Sequence, residues 1–218
     1  MEQPARLVDE TRIRSPMTVL VTGNLGYIGS VLTPLLIEKG YRVRGLDSGL
    51  FRDCLVSPTV DPEEQLLKDI RDVEPEDLDG VTAVIHLAAL SNDPLGSLDE
   101  SLTRAINYEG SMRLGELAQG ARVRRFVYAS SQSMYGRAVT DIELDEDSSE
   151  KNPLTAYART KWEAEESLMT LRAPGFEVTA MRPSTVYGAS PRLRSDIVFN
   201  NFLMCAYSTG TIEIKSDG

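Results

Sequence analysis

The chain has 218 residues, 41% hydrophobic and 26% charged, with 23 Lys and Arg against 33 Asp and Glu, a formal net charge of -10. That length can bury the core of one large domain, or of one domain and part of another. The acidic balance disfavours nucleic acid as a partner, because neutralising phosphates takes clustered cations. The two cysteines, Cys54 and Cys205, stand far apart without ligand-pair spacing, which argues for reduced thiols over a disulfide framework or a metal centre. No apolar run approaches the ~20 residues of a membrane span, and residues 1–15 are too charged for a signal peptide. These features predict a soluble, cytoplasmic protein with no membrane partner.

Residues 1–16 read as a flexible lead-in. Residues 17–21 are apolar and β-branched, a buried strand. Three glycines then follow three residues apart, Gly23, Gly26 and Gly29. Ile28, Leu32, Leu35 and Leu36 recur at helical spacing over 27–39, with Gly40 as a stop. Pro34 predicts a kink in that helix, not its end. Further strands are predicted at 41–46, 65–68, 81–87, 123–129 and 176–181. A long helix is predicted at 98–118, stopped by Gly120, and another at 155–171, closed by Pro174 and Gly175. A helix near 195–207 and a strand at 211–215 complete the pattern, and the acidic run 141–150 reads as a solvated loop. Strands alternating with helices predict an α/β fold, a Rossmann-like doubly wound parallel sheet with helices on both faces. Residues 17–182 would form the dinucleotide-binding domain and 183–218 an incomplete substrate-binding region.

A glycine-rich turn from strand to helix leaves backbone N–H groups at the positive end of a helix dipole, which suits phosphate. Gly23 would permit the tight turn, Gly26 the approach of a pyrophosphate, and Gly29 close packing of helix on strand. Asp47 ends the second strand at about the ~20-residue distance expected of the acid that binds an adenosine ribose. A carboxylate there repels a 2′-phosphate, so NAD is favoured over NADP. Tyr157 and Lys161 are four apart on a predicted helix and share a face. An ammonium beside a phenol stabilises phenolate, making it a usable acid/base near neutrality. Serines cluster at the end of the preceding strand, Ser130, Ser131 and Ser133, where an open α/β sheet lines its ligand crevice. His86, the single histidine, ends a buried strand and reads as a structural group.

Taken together, the run Thr22 to Gly29, Asp69-Ile70-Arg71-Asp72, His86-Leu87-Ala88-Ala89, Asn107, Ser130-Ser131, Tyr157 to Lys161 and Arg182 to Gly188 resemble an extended short-chain dehydrogenase/reductase. The resemblance is to the NAD-dependent nucleotide-sugar epimerase/dehydratase group, of the UDP-glucose 4-epimerase type, and covers about residues 17–190. It implies a cofactor site of Gly23, Asn24, Gly26, Tyr27, Ile28, Gly29, Asp47, Asp69, Ile70, Leu87, Ala88, Ala89, Asn107, Tyr157, Lys161 and Pro183. It implies Tyr157 as catalytic base, Lys161 as its electrostatic partner and Ser131 as the hydroxyl that orients the substrate. Ser91, Ser131, Ser133, Ser184 and Thr185 would contact a nucleotide-sugar substrate. It further implies a homodimer through a four-helix interface of the 98–118 and 155–171 helices.

Sugar dehydratases of this group carry an Asp-Glu pair just after the catalytic hydroxyl residue, where this chain has Gln132 and Ser133. That departure favours an epimerase, with a reductase or dehydrogenase using the same triad as the alternative. Members of the group run on for roughly another hundred residues, so the chain reads as C-terminally truncated, and an NAD-binding module without turnover is a further alternative.

Overall fold

The computed structural model of the chain describes residues 17–91, 99–137 and 143–214. Six parallel strands form one sheet in the order β3-β2-β1-β4-β5-β6. They are β1 (Thr18–Thr22), β2 (Arg42–Asp47), β3 (Glu64–Leu67), β4 (Ala83–His86), β5 (Arg125–Ala129) and β6 (Glu177–Met181). The β1–β2 connection runs one way along the sheet and the β4–β5 connection the other. Right-handed crossovers therefore set their helices on opposite faces. Helix α1 (Gly29–Glu38) covers one face, packing Leu36 and Ile37 on Val19, Val21 and Val43. On the other face Leu20, Val84, Phe126, Tyr128 and Val178 meet Leu114, Ala118, Ala164 and Leu168 in the main core. Both sets come from the same strands because successive side chains alternate sides.

That second face is covered by α2 (Glu100–Arg104), a π-helical turn (Ala105–Glu109), α3 (Gly110–Gly120) and α4 (Ala156–Thr170). A last helix, α5 (Val198–Thr209), follows β6. Asp99 starts α2 by accepting from Leu102 N–H at 3.0 Å, and Thr155 starts α4 by accepting from Ala158 N–H at 3.1 Å. These caps satisfy amides that the helices themselves cannot.

Every predicted strand through 176–181 is present, within two residues at its ends. Helix α1 continues through Pro34, as its apolar spacing requires. The helix before β5 ends at Gly120, where the sequence placed its stop, and the chain leaves it through Arg122, at φ 60. Three expectations are corrected. The long helix is interrupted by the π turn, which sequence periodicity does not reveal. Gly29 does not chiefly serve helix-on-strand packing: a Cβ there would lie 2.2 Å from the Gly23 carbonyl oxygen, so it is the loop's own backbone that requires glycine. Residues 211–214 are not a strand, since no neighbouring strand pairs with them. The described part of the acidic run, 143–150, is a solvent-facing loop and turn. The lead-in 1–16, Leu98, residues 141–142 and residues 215–218 lie outside the described residues.

Candidate active site

A cleft of about 760 Å³ opens at the carboxyl ends of the strands, where the connections after β1 and β4 part to opposite faces. Its floor is the glycine loop. Gly23, at φ +72, takes a left-handed turn that a side chain resists, and a Cβ on it would meet Ala88 N at 2.7 Å. Gly23 N–H donates to Leu46 O at 2.8 Å and Gly26 N–H to Gly23 O at 3.1 Å, which folds the loop back beneath α1. The Asp47 carboxylate secures it, accepting from Leu25 N–H at 3.2 Å and from Gly49 N–H at 2.9 Å. Among the described residues the N–H groups of Tyr27 and Ile28 make no hydrogen bond, and both residues line the cleft just before α1. Two unengaged donors at a helix N-terminus match the oxygens of a pyrophosphate.

The far wall carries acid/base chemistry. Tyr157 and Lys161 lie on the first turns of α4, and both line the cleft with Ser131 and Ser133. Lys161 is buried; its Nζ donates to Ala129 O at 2.8 Å and lies 4.7 Å from the Tyr128 ring centroid. Burial pulls its pKa down from 10.5 to about 7. Ser131 starts a 3₁₀ turn, Gln132–Tyr135; its Oγ accepts from Ser133 N–H at 3.2 Å and lies 2.9 Å from Ser133 Oγ, which donates to it. The Ser131 hydroxyl keeps its own proton to donate into the cleft.

The cleft also gathers Gly26, Gly29, Asp69, Ile70, Leu87, Ala88, Ala89, Ser91, Pro183, Ser184 and Thr185 from the sequence expectation. Asn24 and Asn107 are not among the residues that line it. Asn24 is buried beneath the loop, its Nδ2 donating to Gln65 Oε1 at 2.6 Å. Asn107 is buried in the π turn, where it accepts from Leu90 N–H at 2.8 Å and donates to Leu90 O at 3.0 Å. Each amide props a loop from behind. Sequence reading missed Phe51, Arg192, Arg194 and Asp196, which line the same cleft. The Arg192 guanidinium stacks 4.4 Å from the Phe51 ring centroid, and Arg194 pairs with Asp196 at 2.6 Å. Two arginines two apart in 192–194, after β6, are the local signal that could have drawn attention to this wall.

Residues 19–218 match the family described as the NAD dependent epimerase/dehydratase family. This chain is a member of that family. Among curated relatives of this epimerase/dehydratase-family chain, YtcB of Bacillus subtilis, described as an uncharacterized UDP-glucose epimerase, is 28% identical over 223 residues, covering 93% of this chain and 66% of that protein. Among solved structures, TunA, a novel NAD-dependent NDP-hexosamine 5,6-dehydratase of tunicamycin biosynthesis, superposes with a TM-score of 0.81 at 27% identity, covering 92% of this chain and 65% of that one. MoeE5, solved with UDP-glucose and NAD, gives 0.76 at 31% identity, covering 92% and 64%. This family member thus spans slightly under two thirds of these relatives. The cofactor of the family is NAD, and the glycine loop, its two unengaged amides and the Asp47 carboxylate fit that dinucleotide.

Proposed function

We propose that this chain carries the cofactor and acid/base half of an NAD-dependent epimerase acting on a nucleotide-activated sugar through a keto-sugar intermediate. The observation that carries the reading is the meeting of Ser131, Tyr157 and Lys161 with the glycine loop in one cleft, with Gln132 and Ser133 where dehydratases of this group carry their acid pair. Tyr27 and Ile28 N–H groups would hold the pyrophosphate of NAD, Asp47 the adenosine ribose, and Asp69 and Ile70 the adenine. Leu87, Ala88, Ala89 and Pro183 would pack along the rest of the dinucleotide. NAD, when bound, supplies the acceptor for a hydride from the sugar carbon and its later return.

The chain's own groups handle the proton. Tyr157 phenolate takes the proton of the sugar hydroxyl as that carbon is oxidised. Ser131 donates to the same oxygen and aligns it. A protonated Lys161 stabilises the phenolate. Epimerisation then needs only that the keto-sugar turn over before Tyr157 returns the proton, with no further acid or base. Ser91, Ser133, Ser184 and Thr185 would hold the sugar while it turns.

Incubation with NAD and UDP-glucose, followed by NMR of the sugar nucleotide, should give the epimer. Tyr157→Phe should lower kcat by ~10²–10⁴ while NAD affinity changes less than threefold. A Tyr157→Phe protein of undiminished rate refutes the mechanism. A second reading, a dinucleotide-binding module without turnover, is favoured by the sparse sugar side, where residues 211–214 form no strand and α5 exposes its apolar residues. Calorimetry separates the two: tight UDP-glucose binding supports the enzyme, and NAD binding without it supports the module. We also propose a homodimer in which two helical arms, the one running from α2 through the π turn to α3 and the one formed by α4, meet their copies in a four-helix interface. Light scattering should give twice the chain mass; a mass of one chain sinks that assembly.

A further inference from the structure

The segment 188–197, of which residues 192–197 form a wall of the cleft, is fastened to the glycine loop by a set of bonds that the catalytic reading does not use. Asn200, on the first turn of α5, is buried and every polar atom of its amide is engaged. Its Oδ1 accepts from Gly188 N–H at 2.9 Å, and its Nδ2 donates to Arg194 O at 2.9 Å and to the Tyr27 hydroxyl at 3.0 Å. The Tyr27 hydroxyl in turn donates to Gly188 O at 2.7 Å. An N–H on one side of the amide and a carbonyl on the other fix which end is oxygen. Gly188 presents both its N–H and its C=O to this ring of bonds from a backbone φ of +119, a conformation that a side chain resists. Beside it, Ser190 Oγ donates to Tyr27 O at 2.7 Å. Arg194, whose carbonyl Asn200 holds, donates from its side-chain Nη1 to Ser91 Oγ at 3.1 Å. The wall is therefore anchored at the pyrophosphate end by Tyr27 and Asn200 and reaches the sugar end with Arg194.

We propose that the Tyr27 hydroxyl and Asn200 form a clasp that seats the 188–197 wall on the cofactor loop, making both positioning residues for the sugar end of the cleft through Arg194. Tyr27 thereby has two separable roles. Its backbone N–H faces the dinucleotide, and its side chain holds the substrate wall. Loss of either clasp partner frees the wall without altering the loop's amides, so substrate capture weakens while cofactor binding stays.

The test compares the wild-type chain with Tyr27→Phe, which removes one hydroxyl, with Asn200→Asp, which removes the Nδ2 donor, and with the double variant. Amide hydrogen exchange is read over 188–197, with β1 and α1 as internal controls. Each single variant should speed exchange in 188–197 about tenfold and leave β1 unchanged. The double variant should exceed either single by less than the product of their effects, because the bond from Asn200 Nδ2 to the Tyr27 hydroxyl is lost in both. In turnover of UDP-glucose, KM should rise about tenfold in each variant, with kcat lowered far less, and in Asn200→Asp NAD affinity should stay within threefold. Unchanged exchange in 188–197, or effects of the two variants that multiply, overturns the clasp. The kinetic arm rests on the sugar-nucleotide reading and the exchange arm does not: a wild-type chain that fails to turn over UDP-glucose counts against that reading alone. Should Asn200→Asp fail to fold, Tyr27→Phe decides by itself.

Discussion

His86 shows how far a hydrogen-bond network can fix the state of one ring. Ser111 Oγ donates to Asn107 O at 2.7 Å, so it must accept from His86 Nε2–H at 2.8 Å. That leaves Nδ1 bare to accept from the Thr22 hydroxyl at 2.6 Å, and Thr22 Oγ1 accepts from Ala88 N–H at 3.3 Å. The ring is fully buried, and desolvation, with the nearby Lys161 charge, pulls its pKa from 6.5 to about 3. It stays neutral at physiological pH, ties the ends of β1 and β4 to the π turn, and has no part as a base. Because the unfolded chain binds the proton first, His86 contributes stability that is complete above pH 6.5 and is lost as pH falls toward about 3. The thermal midpoint should fall between pH 6.5 and 5, where carboxylates remain ionised, and His86→Asn should flatten that slope. A wild-type midpoint that is constant over this window contradicts the assignment. The sign is the same for Lys161 at higher pH: stability rises as pH rises from about 7 toward 10.5.

Helix α4 carries the catalytic pair because of how it begins. Tyr157 is its second residue, so the geometry of the phenol depends on the cap at Thr155. Ala156, Ala158, Ala164 and Leu168 turn inward with Lys161, which fixes the helix against the sheet and buries the ammonium. Thr155→Ala should cost about 1 kcal/mol, measurable by urea unfolding, and should lower kcat more than NAD affinity. Thr155→Ser, which keeps the hydroxyl, should restore both. An alanine variant of unchanged stability would show that the cap contributes nothing. The i,i+4 spacing of Tyr157 and Lys161 was legible in the sequence, since it follows from helix period alone. The π turn was not, because it arises where Asn107 is drawn in to bond both N–H and C=O of Leu90, a partner 17 residues away. The bond that holds Asn24 was not legible for the same kind of reason: its partner Gln65 lies on β3, and only the sheet brings the two together.

At the scale of the molecule, α2 and α4 lie side by side, joined by ion pairs from Arg159 to Glu100 and from Arg104 to Glu163. The other end of the chain is less covered. In α5, Leu203 is 72% exposed and Tyr207 92%, and Met181 at the end of β6 is also exposed. Apolar side chains this exposed are open to an apolar probe. The 218-residue chain should therefore bind the dye ANS strongly at neutral pH while retaining a cooperative unfolding transition; no fluorescence enhancement would mean that these faces are covered in solution. Sequence alone determined the strand and helix order, the glycine turn, Asp47 at the end of β2 and the Tyr157–Lys161 pair, because each depends on local periodicity or on contacts short in sequence. Tertiary structure alone decided that 188–197 forms a wall of the cleft, that Asn24 and Asn107 stand behind it, and that Asn200 reaches Tyr27, 173 residues away. Those outcomes depend on which polar groups are left needing partners once the sheet has closed, and that is a property of the packed chain.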